Sequence, residues 1–375
     1  MHGPTELNRR RLVIGTVVGL AALGGLYFLI PKVAGLHQTW GQLRRGDPVL
    51  LAVAAALELV SIGGYALLFS TVFSRGTPRI NWRASLQIPL AGIAAIRLLA
   101  AAGAGGVAVT VWALLRAGMD RAVIACRIVA MYTLQYSVYL GAMVVCGLGL
   151  HFGAFPGGGS PALTLVPALL SAGALVLLAC MAFVPGDFRR RLEWLSHRPG
   201  VVGRLASRLA SAPELLGSGV RTAVDLVRQR RVGLVGVFIY WGFDIAVLGL
   251  CLHAFGEVVP VAVLIMGYFL GTLGSLLPLP GGIGGVEGGM IGAFVAFGVP
   301  GGRAVVGVLA YRAISFWLPT LPGIGGYLGL RKTVKGWQAA DEALQPEPVP
   351  SSAPGPASAS SSGEGSVPAG ARDAK

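Results

Sequence analysis

Eight apolar runs of 17 to 29 residues follow one another along this chain, at 12–30, 49–73, 122–150, 163–184, 232–255, 258–277, 283–299 and 304–330. A helix needs roughly 20 apolar residues to cross the hydrocarbon core of a bilayer, about 30 Å thick. Inside that core every backbone N–H and C=O must be satisfied within the segment, so such runs fold as helices. Composition agrees: 54% of residues are hydrophobic and only 12% charged, where soluble domains carry about 25% charged residues. Mean hydropathy is +0.71. An ordinary soluble enzyme is excluded, because it would have to expose these residues in large patches. The chain reads as an all-α polytopic membrane protein with about six to eight transmembrane helices.

Charge sets the orientation. Lys+Arg number 30 against 16 Asp+Glu, a net +14. Nucleic acid is one partner for such an excess, but here the arginines gather in loops between apolar runs, which is the positive-inside pattern. Arg9 to Arg11, the 74–85 loop with Arg75, Arg79 and Arg83, the 187–231 segment, and Arg331, Lys332 and Lys335 all fall on one side. The expectation is a multi-pass protein of the cell membrane with both termini cytoplasmic and no nucleic-acid partner. The 12–30 run exceeds the roughly 7–15 apolar residues of a signal peptide, so it reads as a retained span. Residues 187–231 hold ten arginines against four acids. Leu192, Leu195, Leu205 and Leu209 recur there at helical spacing, so a basic amphipathic helix lying on the membrane is expected. Domain organisation follows: 1–337 is the membrane domain, and 338–375, rich in Pro, Ser and Ala, is a disordered tail.

Between residues 85 and 121 the chain must start and finish on the same side. Residues 86–99 are short for a crossing, contain Pro89 and Arg97, and run into Gly103, Gly105 and Gly106. A re-entrant hairpin of two broken helices fits, an arrangement tolerated only when packed in protein or lining a wet cavity. The second half repeats the order. Gly105 and Gly284 are 179 residues apart, and Gly118 and Gly298 are 180 apart. Glu58 and Asp244 each sit within the preceding run, and Arg127 and Arg312 within the following one. An inverted repeat places a binding site at mid-membrane in many transporters. At 258–299 two arrangements remain open, a second re-entrant hairpin or two full crossings.

Six ionisable residues lie inside apolar runs: Glu58, Arg97, Arg127, Asp244, Glu287 and Arg312. Each costs roughly 2.5–3.5 kcal/mol at the bilayer centre on insertion scales. They must therefore pair or face a wet cavity. Glu287 with Arg312 is the first expected pair, and buried ion pairs that merely fix helix register remain the alternative. The run Pro280–Gly281–Gly282–Ile283–Gly284–Gly285 breaks one helix and opens another. The new helix points its positive end, with open N–H groups, at the break, a setting for a phosphate or carboxylate. Gly281, Gly285 and Gly289 form one small-residue face and Gly284, Gly288 and Gly292 another, which allows close helix contact.

The four cysteines (Cys126, Cys146, Cys180 and Cys251) lie in apolar runs without CxxC spacing and read as small buried hydrophobes. The histidines lack ligand spacing, so no metal or cofactor is implied. Gly103 to Ala108 imitates a dinucleotide fingerprint but lacks the βαβ context. No P-loop, His-Glu-x-x-His or Gly-x-Ser-x-Gly motif occurs.

Leu279-Pro-Gly-Gly-Ile-Gly-Gly-Val-Glu287, then Phe297-Gly-Val-Pro300, then Ala310-Tyr-Arg312-Ala-Ile-Ser-Phe-Trp-Leu-Pro319 resembles the flippase-like transmembrane domain of lysylphosphatidylglycerol synthases. The similarity covers about 10–335, and Gly103 to Arg116 resembles that family's looser first-half motif. The resemblance implies movement of a phospholipid, or another anionic lipid, between leaflets. It also marks Glu287 and Arg312 as site residues. With Gly284, Gly285, Arg127, Gly105, Gly106, Asp244, Glu58 and Arg97 they make the candidate substrate-binding set. The synthases add a soluble domain that attaches the amino acid. No such stretch is visible here, so the expectation is a transporter and not an enzyme. A membrane-embedded enzyme acting on a lipid headgroup and a subunit docking a separate enzyme are the alternatives, and homo-oligomerisation stays open.

Overall fold

The computed structural model describes residues 46–98, 104–182, 212–276 and 282–344. The expected span at 12–30 and the leucines of 187–211 lie outside the described residues. Among the described residues ten α-helices form, with no strand. They are α1 (Pro48–Phe73), α2 (Trp82–Leu98), α3 (Ala104–Arg116), α4 (Arg121–His151), α5 (Pro161–Ala182), α6 (Ala212–Arg228), α7 (Val235–Ala254), α8 (Val261–Thr272), α9 (Gly285–Ala296) and α10 (Gly301–Leu344). Capping starts two of the long ones. Asp47 accepts from Val49 N at 2.8 Å ahead of α1, and Asp120 from Ala122 N at 2.8 Å ahead of α4, which satisfies amides that have no partner within the helix.

Five helical segments are long and apolar enough to cross a membrane: Pro48–Phe73, Arg121–His151, Pro161–Ala182, Val232–Ala254 and Gly301–Asp341. The pair α8 and α9 is not. At 12 residues each they span about 18 Å at 1.5 Å per residue, well short of the hydrocarbon core. A 3₁₀ turn, Leu273–Leu276, follows α8. With that turn the first apolar helix runs Val261–Leu276 and the second Gly285–Ala296, both shorter than the five long segments. The first-half pair, α2 and α3, has 17 and 13 residues.

The frame is an antiparallel pair. Asp47 N bonds Ala254 O at 3.1 Å, Ser61 Oγ donates to Tyr240 O at 2.9 Å, and Thr71 abuts Gly233. Contacts therefore descend α7 as they ascend α1. Glycine makes the close crossing: a Cβ on Gly64 would lie 2.8 Å from Tyr240 N, and one on Gly236 2.8 Å from Leu68 N. Because α1 and α7 hold equivalent places in the sequence repeat, their opposed directions make the repeat inverted.

Packing repeats with the halves exchanged. Helix α2 of the first half packs on α10 of the second, and α8 of the second packs on α4 of the first. Each hairpin closes on glycine, Gly92 against Gly106 in α2–α3, and Gly271 against Gly289 in α8–α9. The 179-residue offset that relates Gly105 to Gly284 also relates Gly92 to Gly271. Both short helices end in one motif. Gly118 (φ +87°) bonds Leu115 O while Met119 N bonds Leu114 O; Gly298 (φ +92°) bonds Val295 O while Val299 N bonds Phe294 O. Such a left-handed C-terminal residue favours glycine.

Helices α5 and α6 flank α4. Along α5, Leu169, Leu170, Val176 and Leu177 are exposed, as a lipid-facing surface requires. In α6, Val220, Ala223 and Leu226 are buried while Arg221 and Arg228 face outward, the amphipathic pattern. Two expectations need correction. The chain does not leave helix at 338: α10 runs to Leu344, and Asp341 pairs with Arg79. The cysteines are not uniformly buried either. Cys146 and Cys251 are, but Cys126 is half-buried and Cys180 exposed, because α5 lies at the rim.

Candidate functional site

Five of the six membrane-embedded charges converge between the two halves. Arg312 on α10 donates from Nε to Glu287 Oε1 on α9 at 2.7 Å. The two side chains are only 16% and 14% exposed, so the pair is largely shielded from solvent screening. The expected partnership is therefore present. Glu287 Oε2 also accepts from Gly284 N at 2.7 Å. That modifies the sequence reading of the glycine break: the amide that opens α9 is not vacant, because Glu287 three residues on takes it in a capping arrangement.

Arg97 reaches across from α2. It donates through Nη1 to Phe316 O and, at 3.2 Å, to Thr320 Oγ1. Its guanidinium lies 5.3 Å from the Phe316 ring centre, and that of Arg312 lies 5.6 Å from the same centre. The two cations thus flank one aromatic ring, a placement that favours each through its quadrupole. Pro89 lies within α2, and Pro319 and Pro322 within α10.

The acids stand deeper. Glu58 on α1 and Asp244 on α7, 4% and 8% exposed, stand side by side at the crossing of the two halves. Asp244 accepts from Tyr268 Oη on α8 and from Tyr311 Oη on α10, the latter at 3.0 Å. Glu58 Oε2 has no hydrogen-bond partner among the described residues. Arg97 is within electrostatic reach of Glu58, Asp244 and Arg312. Three carboxyl groups and two guanidiniums meet here. Tyr240 packs on Trp241, Trp241 on Phe269 and Phe269 on Tyr268, an aromatic layer that reaches the tyrosine bonded to Asp244.

Arg127 is not in this group. Its guanidinium bonds Phe73 O at 3.1 Å and Arg75 O at 2.9 Å, at the C-terminal end of α1. The reason is depth: Arg127 sits six residues into α4, about 9 Å from its start, and reaches back to unpaired carbonyls. Gly106 serves packing, since a Cβ there would lie 2.8 Å from Gly92 O; Gly105 precedes it in the same buried stretch. Gly285 likewise packs against Gly274. Only Gly284 borders the charged cluster directly. The face with Gly285 and Gly289 meets α8, whereas among the described residues nothing lies within 4 Å of Cβ positions on Gly284, Gly288 and Gly292. One of the two small-residue faces is thus a contact and the other open. Tyr268 and Tyr311 were missed from sequence, because a tyrosine in an apolar run reads as core filling until its hydroxyl finds a buried acid.

Among the described residues no three His, Cys, Asp or Glu side chains group as a metal site would require. The model of the family described as the lysylphosphatidylglycerol synthase TM region matches residues 12–323. A UPF0104 membrane protein of Methanothermobacter thermautotrophicus is 27% identical over 331 residues, 82% of this chain and 92% of that protein. A further UPF0104 membrane protein match from that organism is 36% identical over 143 residues, 36% of this chain and 40% of the relative.

Proposed function

This chain belongs to the lysylphosphatidylglycerol synthase transmembrane-region family, and we propose that it moves an anionic phospholipid between the leaflets of the cell membrane. The carrying observation is the convergence of Glu58, Arg97, Asp244, Glu287 and Arg312 from five helices at the seam of two oppositely directed halves. Charges inside a bilayer mark a path for polar groups, and inverted halves supply two exchangeable packings around one site. The lipid phosphate meets Arg312 and Arg97, while the open glycine face of α9 gives its backbone room. Glu287 holds Arg312 and the start of α9 until the phosphate competes for the guanidinium. Glu58 and Asp244 keep the seam near neutrality when the anion leaves. The lipid is bound and released unchanged, so no reaction is assigned to the chain. In this reading the arginine-rich face, with both termini, is cytoplasmic.

The test is leaflet exchange of fluorescent phosphatidylglycerol in liposomes holding the purified full chain. Exchange well above that of empty liposomes, lost in Arg312→Gln, is expected. Equal exchange with and without protein, across several anionic headgroups, overturns the proposal.

A further inference from the structure

A second basic site lies away from the central seam. An open cleft of about 830 Å³ forms where α1 ends and the chain passes from α6 into α7, lined by Ser70, Ser74, Arg75, Gln229, Arg230 and Arg231 among others. The turn is tight: Arg230 adopts φ +47°, a left-handed conformation that costs a non-glycine residue energy and swings consecutive side chains to the cleft. Arg75 Nη1 donates to Gln229 Oε1 at 2.9 Å, and Arg231 Nε and Nη2 donate to the same oxygen at 3.3 Å. Two guanidiniums thus share one neutral acceptor and stand side by side. Arg127 binds the carbonyl of Arg75 from beneath. Among the described residues no carboxylate lines the cleft. Like charges are thus held together around a neutral amide with no described carboxylate among them, and the hydroxyls of Ser70 and Ser74 add polar partners of the kind phosphate oxygens take.

We propose that this cleft binds the phosphate of an anionic phospholipid, in the leaflet against this face, as a site separate from the central charges. Lipid is favoured over soluble phosphate by what borders the cleft. Val232, in its lining, is 84% exposed, and Val235 and Phe238 continue one exposed apolar stripe down α7. A headgroup seated among the arginines lays its acyl chains along that stripe. The position agrees as well: the cleft joins the ends of two spans, Pro48–Phe73 and Val232–Ala254, the level at which basic side chains meet anionic headgroups.

Native mass spectrometry of the full chain in a neutral detergent tests this, with phosphatidylglycerol and phosphatidylcholine as probes. An Arg312→Gln background removes one of the two central guanidiniums, and the Arg75 and Arg231 variants lie outside the seam, so this site and the transport proposal fail independently. Phosphatidylglycerol is expected to be retained about tenfold more than phosphatidylcholine. Arg75→Gln with Arg231→Gln removes that preference, and Arg75→Lys with Arg231→Lys keeps most of it. Should the glutamine pair not fold, Arg230→Gln on the exposed turn gives the same reading at smaller amplitude. Equal retention of the two lipids, or a preference untouched by monodisperse glutamine variants, overturns the site. Displacement of phosphatidylglycerol by millimolar inorganic phosphate overturns the lipid and makes soluble phosphate the ligand.

Discussion

Arg312 Nε lies 2.7 Å from Glu287 Oε1, and the other oxygen of that carboxylate accepts the Gly284 N–H at the same distance. One side chain therefore joins the seam's cation to the start of α9. Glu287→Gln keeps an acceptor for Gly284 but removes the charge that Arg312 faces. A charge-assisted hydrogen bond contributes about 1.5–3 kcal/mol, and this pair is largely shielded. Glu287→Gln is expected to destabilise by roughly that amount and to lower leaflet exchange at least tenfold. Thermal unfolding in detergent and the liposome assay check the two effects separately. A variant with unchanged stability and exchange removes Glu287 from both roles.

The two acids at the α1–α7 crossing differ in what they hold. Asp244 accepts from Tyr268 and Tyr311, whereas Glu58 Oε2 has no partner among the described residues. Asp244→Asn leaves one acceptor oxygen for two buried hydroxyls, and an unsatisfied buried group costs about 1–3 kcal/mol. Glu58→Gln keeps the shape of the side chain and offers Asp244 an amide donor. Its stability is expected to stay within about 0.5 kcal/mol of the parent chain or to rise. Paired unfolding curves decide; equal losses for both variants refute the asymmetry.

How much of this was written in the sequence depends on distance along the chain. The first hairpin was legible, because Pro89 and Gly105 interrupt a stretch too short to cross; the second stayed open between a hairpin and two crossings, because the 258–277 run has span length. The Glu287–Arg312 pair was legible because only two apolar helices carry it, 25 residues apart. Arg127 was misplaced because membership of an apolar run does not give depth in the membrane. Its six-residue distance from the start of α4 lets it reach the end of α1 instead of the seam. The neighbours of Asp244 were illegible, since nothing in the spacing of Tyr268 and Tyr311 says that both hydroxyls meet one carboxylate. Gln229 was equally silent: a neutral residue in an arginine-rich stretch gives no sign that it gathers Arg75 from 154 positions away. Local breaks and charge are readable; partners brought together by long-range helix crossings are not.

The glycines of the second hairpin separate packing from open space. A Cβ on Gly271 would lie 2.7 Å from both Met290 Cα and Met290 N, backbone atoms that cannot rotate away, while one on Gly288 meets nothing within 4 Å among the described residues. Gly271→Ala must push α8 and α9 apart, with an expected cost of about 1–3 kcal/mol. Gly288→Ala is expected to leave stability within about 0.5 kcal/mol, helped by alanine's better helix propensity. If a lipid uses the open face, larger residues there should slow leaflet exchange without unfolding the chain, so Gly288→Leu is the useful companion. Equal stability of Gly271→Ala and Gly288→Ala contradicts the assignment of faces.

The opposed directions of α1 and α7 carry the inverted arrangement, and a cross-link reads them directly. Thr71 near the end of α1 abuts Gly233 at the start of the span that becomes α7, while Ala254 at the far end of that span receives the Asp47 N–H. With Cys126, Cys146, Cys180 and Cys251 replaced by serine, Thr71→Cys with Gly233→Cys should form a disulfide on mild oxidation in native membranes, because their β-carbons are near neighbours. Thr71→Cys with Ala254→Cys should not: an apolar helix of 20 residues separates the second pair by about 30 Å. Gel mobility before and after reduction, following cleavage at a protease site placed between the two halves, gives the answer. Cross-linking of the distant pair in place of the near one means that the two helices run parallel. In that case the halves are not inverted, and the central charges lose the two-sided access on which transport depends.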